Sequence, residues 1–160
     1  MKNKTSFITQ SALIAAVYVI LTYITNMFGL ANGAIQVRIS EALTVLPYFT
    51  PAAVPGLFLG CAISNIVTGC TIADIVFGSI ATLMGAAGTY LLRRYKYLAP
   101  LPPIIANVLI IPPVLMFAAG VEQRWLYLAL TIGAGEVVSC GILGMALLKT
   151  LEKRASKLFR

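Results

Sequence analysis

Three of the five acidic residues, Glu41, Asp74 and Glu136, lie inside or at the edge of apolar runs. A charged group at mid-bilayer costs about 2.5–3.5 kcal/mol on insertion scales, so an acid there needs either a compensating partner or a ligand. An ionised carboxylate only accepts hydrogen bonds, and those it accepts are charge-assisted. The chemistry such acids offer is recognition of a small polar solute within a membrane. Glu136 closes the stretch Thr131-Ile-Gly-Ala-Gly-Glu136. It stands about twelve residues into its run, or roughly 18 Å of helix, which is near the midplane. Gly133 and Gly135 leave space beside it, for a close helix neighbour or for a cavity.

The other polar candidates have structural readings of comparable weight. Thr71-Ile-Ala-Asp74 matches a capping box, and an acid in a first helical turn also suits the helix dipole. Glu41 follows Ser40 at a helix start three residues after Arg38, a spacing that suits a salt bridge. Asn65 and Asn107 are amides in apolar runs, ordinarily explained by interhelical hydrogen bonds worth about 0.6 kcal/mol each. Ala12 and Ala16 put small residues four apart on one face of the first run, where another helix can approach closely. Arg38, Glu41, Asn65, Asp74, Asn107 and Glu136 are the residues expected to line a site. Glu41, Asn65 and Asp74 are expected to converge toward its outer half.

The elements that must position these residues are apolar helices. The chain has 160 residues, 59% hydrophobic and 11% charged, with a mean hydropathy of +0.92. That balance is far from a soluble domain. Roughly 20 helical residues cross a bilayer, so the expected architecture is an all-α integral membrane bundle forming one domain over 1–160, with spans at about 7–28, 40–48, 52–68, 73–92, 102–119 and 125–148. Residues 29–36 read as a loop. The second span is too short to cross alone in a straight line. Ten of the twelve basic residues fall on one side if both ends are cytoplasmic, with only Arg38 and Arg124 outside, and the positive-inside rule favours that orientation. The net charge of +7 therefore orients the protein and does not point to nucleic acid.

No histidine is present, which excludes histidine-ligated metals and histidine-based triads. Cys61, Cys70 and Cys140 have no C-x-x-C spacing, so neither disulfide nor metal is expected of them, and they read as small packing residues. No P-loop occurs, so no cofactor is expected in this chain. An intramembrane enzyme lacks a nucleophile signature. A channel would want like charges repeated around a pore, whereas these acids are unlike and asymmetric.

Gln36-Val-Arg-Ile-Ser-Glu-Ala-Leu-Thr-Val-Leu-Pro47, Pro55-Gly-Leu-Phe-Leu-Gly-Cys61, Asn65, Asp74-Ile-Val-Phe-Gly78 and Gly135-Glu136 resemble the QueT family across nearly the whole chain. These are substrate-binding S components of energy-coupling factor transporters, assigned to queuosine precursors. The resemblance implies a six-helix bundle in the cell membrane that captures a 7-deazaguanine from outside. It implies partners too: a transmembrane coupling subunit, met by an Ala-x-x-x-Ala face that Ala12 and Ala16 match, and two ATPase subunits that use the ATP. An S component for another vitamin-like or nucleobase solute is the alternative.

Overall fold

The computed structural model describes residues 2–29, 37–118, 120 and 122–154. In order they form α1 (Lys2–Met27), a 3₁₀ helix (Ile39–Tyr48), α2 (Ala53–Val67), α3 (Ile72–Leu91) and α4 (Leu101–Phe117), the last entered through a short turn at Lys96–Leu98. A final continuous run follows, made of α5 (Trp125–Glu136), a π-helical segment (Val137–Leu143) and α6 (Gly144–Glu152). No strand occurs among the described residues. The expected loop at 29–36 falls, apart from Gly29, outside them.

Among the described residues, four stretches are long and apolar enough to cross a membrane: Lys4–Met27, Ile72–Leu91, Lys96–Phe117 and Trp125–Glu152. The expectation of six spanning helices is thus met in part. The third apolar segment, α2, has 15 residues, and the second is a 3₁₀ helix of 10. At about 2.0 Å rise per residue, the 3₁₀ helix reaches roughly 20 Å, against about 15 Å for ten α-helical residues. The last run continues to Glu152, past the expected end at Leu148, with Leu151 still packed on the core while Lys149, Thr150 and Glu152 carry the helix beyond its apolar part.

Large apolar side chains point outward along every long helix, among them Ile8, Leu13 and Ile20 of α1, Met84 of α3 and Leu130 of α5. In hydrocarbon such a surface is the ordinary exterior, provided that each polar group finds a partner inside the protein. Hydroxyls meet that condition by bonding the carbonyl one turn back: Thr22 to Tyr18, Thr25 to Leu21, Thr82 to Gly78 and Thr89 to Gly85.

Small residues let the helices touch. A Cβ on Gly56 would lie 2.7 Å from the Ser11 carbonyl oxygen, and one on Gly60 would lie 2.8 Å from the Tyr18 Cβ, so α2 packs directly on α1. Gly85 and Gly88 of α3 receive Pro103 and Pro102 of α4 in the same way, each with a would-be Cβ at 2.6 Å. The inward face of α1 is therefore Ser11, Ala15 and Tyr18. Ala12 and Ala16 lie on its exposed side and are not used inside the bundle.

The 3₁₀ helix runs through the middle, touching α1, α2, α3, α6 and the π segment, and every residue from Ser40 to Pro47 is buried. Its start carries Arg38. Its far end carries Tyr48 and Phe49, which pack against the cluster of Val45, Ala99 and Leu148, the last from α6, while Thr50 donates to Gln10 of α1 at 2.9 Å. Lys96 and Glu152 form an ion pair at that same end. Lys4, Arg93, Arg94, Lys96, Lys149, Lys153 and Arg154 thus share one end of the bundle, and Arg38 and Arg124 stand at the other. Lys157 and Arg160 lie outside the described residues.

Candidate solute-binding site

At the Arg38 end a cavity of about 310 Å³ opens between α1, α2, α3 and α4, bordered by Asn26, Arg38, Asn65, Cys70 and Asp74. Beneath it lies a chamber of about 30 Å³ bordered by Arg38, Glu41, Thr82, Asn107 and Glu136. Arg38, Gly78 and Ile111 border both spaces, so they form the neck between an outer vestibule and an inner chamber. At Gly78 a Cβ would stand 3.1 Å from Asn65 Nδ2, and the bare glycine keeps this neck open.

Glu41 is 2% exposed. Its Oε1 accepts from the Tyr18 hydroxyl, whereas its Oε2 has no partner among the described residues. A buried acceptor left unmatched costs about 1–3 kcal/mol, more when charged, and such a group calls for an explanation. Glu136 differs, because Asn107 Nδ2 donates to its Oε1 at 2.9 Å and Cys140 Sγ donates to its Oε2 at 3.1 Å. Its two oxygens are engaged from α4 and from the π segment, so the acid with a free oxygen is Glu41.

The π segment fixes this corner of the site. π turns are rare and concentrate where function needs a side chain re-aimed. Here Ser139 Oγ accepts from the Arg38 backbone N–H at 3.1 Å, and the one S–H of the buried Cys140 also has the Glu41 carbonyl within reach at 3.4 Å as an alternative acceptor. The entry to the 3₁₀ helix is thereby tied to the last helical run. Cys140 is a polar tie here, where packing alone was expected.

The six residues singled out from sequence divide between the two spaces. Glu41, Glu136 and Asn107 border the chamber, Asn65 and Asp74 the vestibule, and Arg38 both. Asp74 also does what its capping box implies: its backbone N–H donates to Thr71 Oγ1 at 3.2 Å, and the Thr71 hydroxyl donates to its Oδ2 at 2.8 Å. Asn65 Nδ2 bonds the Asp74 carbonyl at 3.2 Å, and Asn107 makes the interhelical bond expected of it, to the acid itself. The Arg38–Glu41 salt bridge does not form. Arg38 has extended backbone angles (φ −107°, ψ 106°), so helical spacing does not apply to it, and the one ion pair among the described residues is Lys96–Glu152.

Sequence reasoning passed over Tyr18, Thr22, Ser139 and Cys140. A signal existed for the first two: Ser11, Tyr18, Thr22 and Thr25 recur at seven, four and three residues, a polar stripe along an apolar helix, and all four are buried.

A sequence model of the QueT transporter family matches residues 8–153. Over 60 residues the chain is 37% identical to the queuosine precursor transporter QueT of Lactococcus lactis subsp. cremoris (strain MG1363), a stretch covering 38% of this chain and 36% of that protein. The match thus takes in little more than a third of that relative's length. No solved structure matches. With the family match running from the first turns of α1 to the end of α6, over a bundle of apolar helices around a buried polar cavity, the chain belongs to the QueT transporter family, whose members are membrane transporters and not enzymes.

Proposed function

We propose that this chain is the solute-capture S component of an energy-coupling factor importer, and that its solute is a queuosine precursor of the 7-deazaguanine class. The observation that carries the proposal is the unpartnered Oε2 of Glu41, buried at the floor of a cavity that widens toward the Arg38 end. A chamber of about 30 Å³ admits a short substituent, and a vestibule of about 310 Å³ admits a bicyclic ring. The chamber holds two acids and one arginine, so a substituent bringing positive charge balances it. Among 7-deazaguanines that favours the 7-aminomethyl form over the 7-cyano form.

In this reading the ammonium meets Glu41 Oε2 beside Glu136, Arg38 donates to the ring carbonyl, and Asp74 with Asn65 takes the N–H and amino edge. Six crossings, cytoplasmic termini and a plasma-membrane location belong to the same proposal, as do a coupling subunit docked on Ala12 and Ala16 and two ATPase subunits that hydrolyse ATP. The test is equilibrium binding of radiolabelled 7-aminomethyl-7-deazaguanine to purified protein without ATP. Saturable binding, displaced better by the unlabelled aminomethyl compound than by the cyano compound or guanine, is expected. Absence of saturable binding overturns the proposal.

A further inference from the structure

The floor of the site brings Glu41 to Glu136 and Cys140, two residues four apart in sequence that lie nearly a hundred positions further along the chain. One oxygen each of Glu41 and Glu136 and the Sγ of Cys140 lie within 4.8 Å of one another, and all three residues are buried. The geometry points to a second ligand class for this chamber: a thiophilic divalent ion, Zn²⁺ or Cd²⁺, held by Glu41, Glu136 and Cys140.

The donor set carries the choice of ion. One sulfur with two carboxylate oxygens suits zinc and its heavier congener, and it does not suit magnesium or calcium, which take oxygen alone. A tetrahedral ion with bonds of roughly 2.0–2.3 Å spaces its ligand atoms by about 3.3–3.8 Å. Donors now within 4.8 Å need at most about 1.0–1.5 Å of closure. Glu41 Oε2 can turn to an ion without giving up a bond, since it has none. Three protein ligands leave a fourth position for water, and a chamber of about 30 Å³ exceeds the roughly 10–15 Å³ that one water requires. Before binding, Cys140 Sγ donates its proton to Glu136 Oε2. On binding, that proton passes to water as the sulfur–metal bond forms, and the ion sheds all but one of its own waters. Arg38, which borders the same chamber, repels the ion. A micromolar, reversible site is therefore expected, unlike the far tighter structural zinc sites.

The ion titration uses no solute, so this inference stands or falls apart from the transport reading. The purified full chain carrying Cys61→Ser and Cys70→Ser, with Cys140 its remaining thiol, is titrated with Cd²⁺ while the ultraviolet sulfur-to-cadmium charge-transfer band is followed. A saturable one-to-one band is expected, lost on adding Cys140→Ser and shifted at least tenfold to higher concentration by Glu41→Gln. No band in the folded two-cysteine variant overturns the inference, as does a band that survives Cys140→Ser. Should Cys140→Ser fail to fold, cadmium NMR of the two-cysteine variant decides. A shift typical of one sulfur among oxygen donors supports the site, and an all-oxygen shift overturns it.

Discussion

Replacing Glu41 by glutamine changes one atom at the floor of the cavity, and two observables should move in opposite directions. The unpartnered Oε2 is an acceptor, and in the amide variant that position becomes either a neutral acceptor or an outright donor facing the donors of the ligand. Hydrogen bonds to charged groups contribute about 1.5–3 kcal/mol, so the affinity for 7-aminomethyl-7-deazaguanine should fall roughly ten- to a hundredfold, at about 1.4 kcal/mol per decade. The ligand-free protein responds differently. Glu41 is buried with one oxygen unmatched and stands within 4.8 Å of a second acid, an arrangement that costs stability whatever proton the two share. Glutamine lightens that cost and can donate to Glu136, so the melting temperature without ligand should hold or rise. The assay pairs a thermal melt of the monodisperse ligand-free variant with a ligand titration of the same sample. Wild-type affinity would remove Glu41 from the site. A melting temperature that falls in step with affinity would make Glu41 a structural residue and refute the reasoning.

Glu136→Gln should weaken binding less than Glu41→Gln, because both Glu136 oxygens already have protein partners, and side-by-side titrations check the order. Gly78→Val puts bulk into the neck between vestibule and chamber, so affinity should drop at least tenfold while the fold persists; unchanged affinity would mean that the two spaces are not one path. Ala16→Trp should abolish cellular uptake and leave binding in detergent intact, since Ala16 lies on the exposed side of α1, and equal loss of both would place that face inside the bundle. Cysteines substituted for Lys4 and Arg94 should resist an impermeant thiol reagent in intact cells while one at Arg124 reacts, and the reverse pattern would invert the topology.

The membrane class was legible, and so were the acids that border the two cavities, because charge in an apolar run is costly whatever the fold and Glu41, Asp74 and Glu136 stand out on that ground alone. The capping role of Asp74 was legible because a capping box is local. The pairings that build the floor were not. Tyr18 meets Glu41 across 23 residues of sequence and Cys140 meets Glu41 across 99, contacts that only the packed bundle creates. The Arg38–Glu41 spacing misled because it presumed helical geometry at a residue that is extended. The 3₁₀ and π windings escaped for a related reason. Apolar periodicity separates helix from strand but barely separates three, 3.6 and more than four residues per turn over so few turns.

The winding of the central helix also restricts how its length can change. At three residues per turn, each residue turns the chain by about 120°, and Glu41, Thr44 and Pro47 run along a single edge. Deleting or inserting one residue between Glu41 and Tyr48 would therefore shorten or lengthen the rod by only about 2 Å but rotate everything beyond the edit by a third of a circle. With Glu41 held by Tyr18, the rotation would fall on Tyr48 and Phe49 and turn them away from the cluster that holds Leu148 of α6. Buried from Ser40 to Pro47, the segment has no solvated face onto which a misdirected side chain could be moved. Substitutions here trade volume against volume, whereas a change in residue number re-aims one end of the molecule relative to the other.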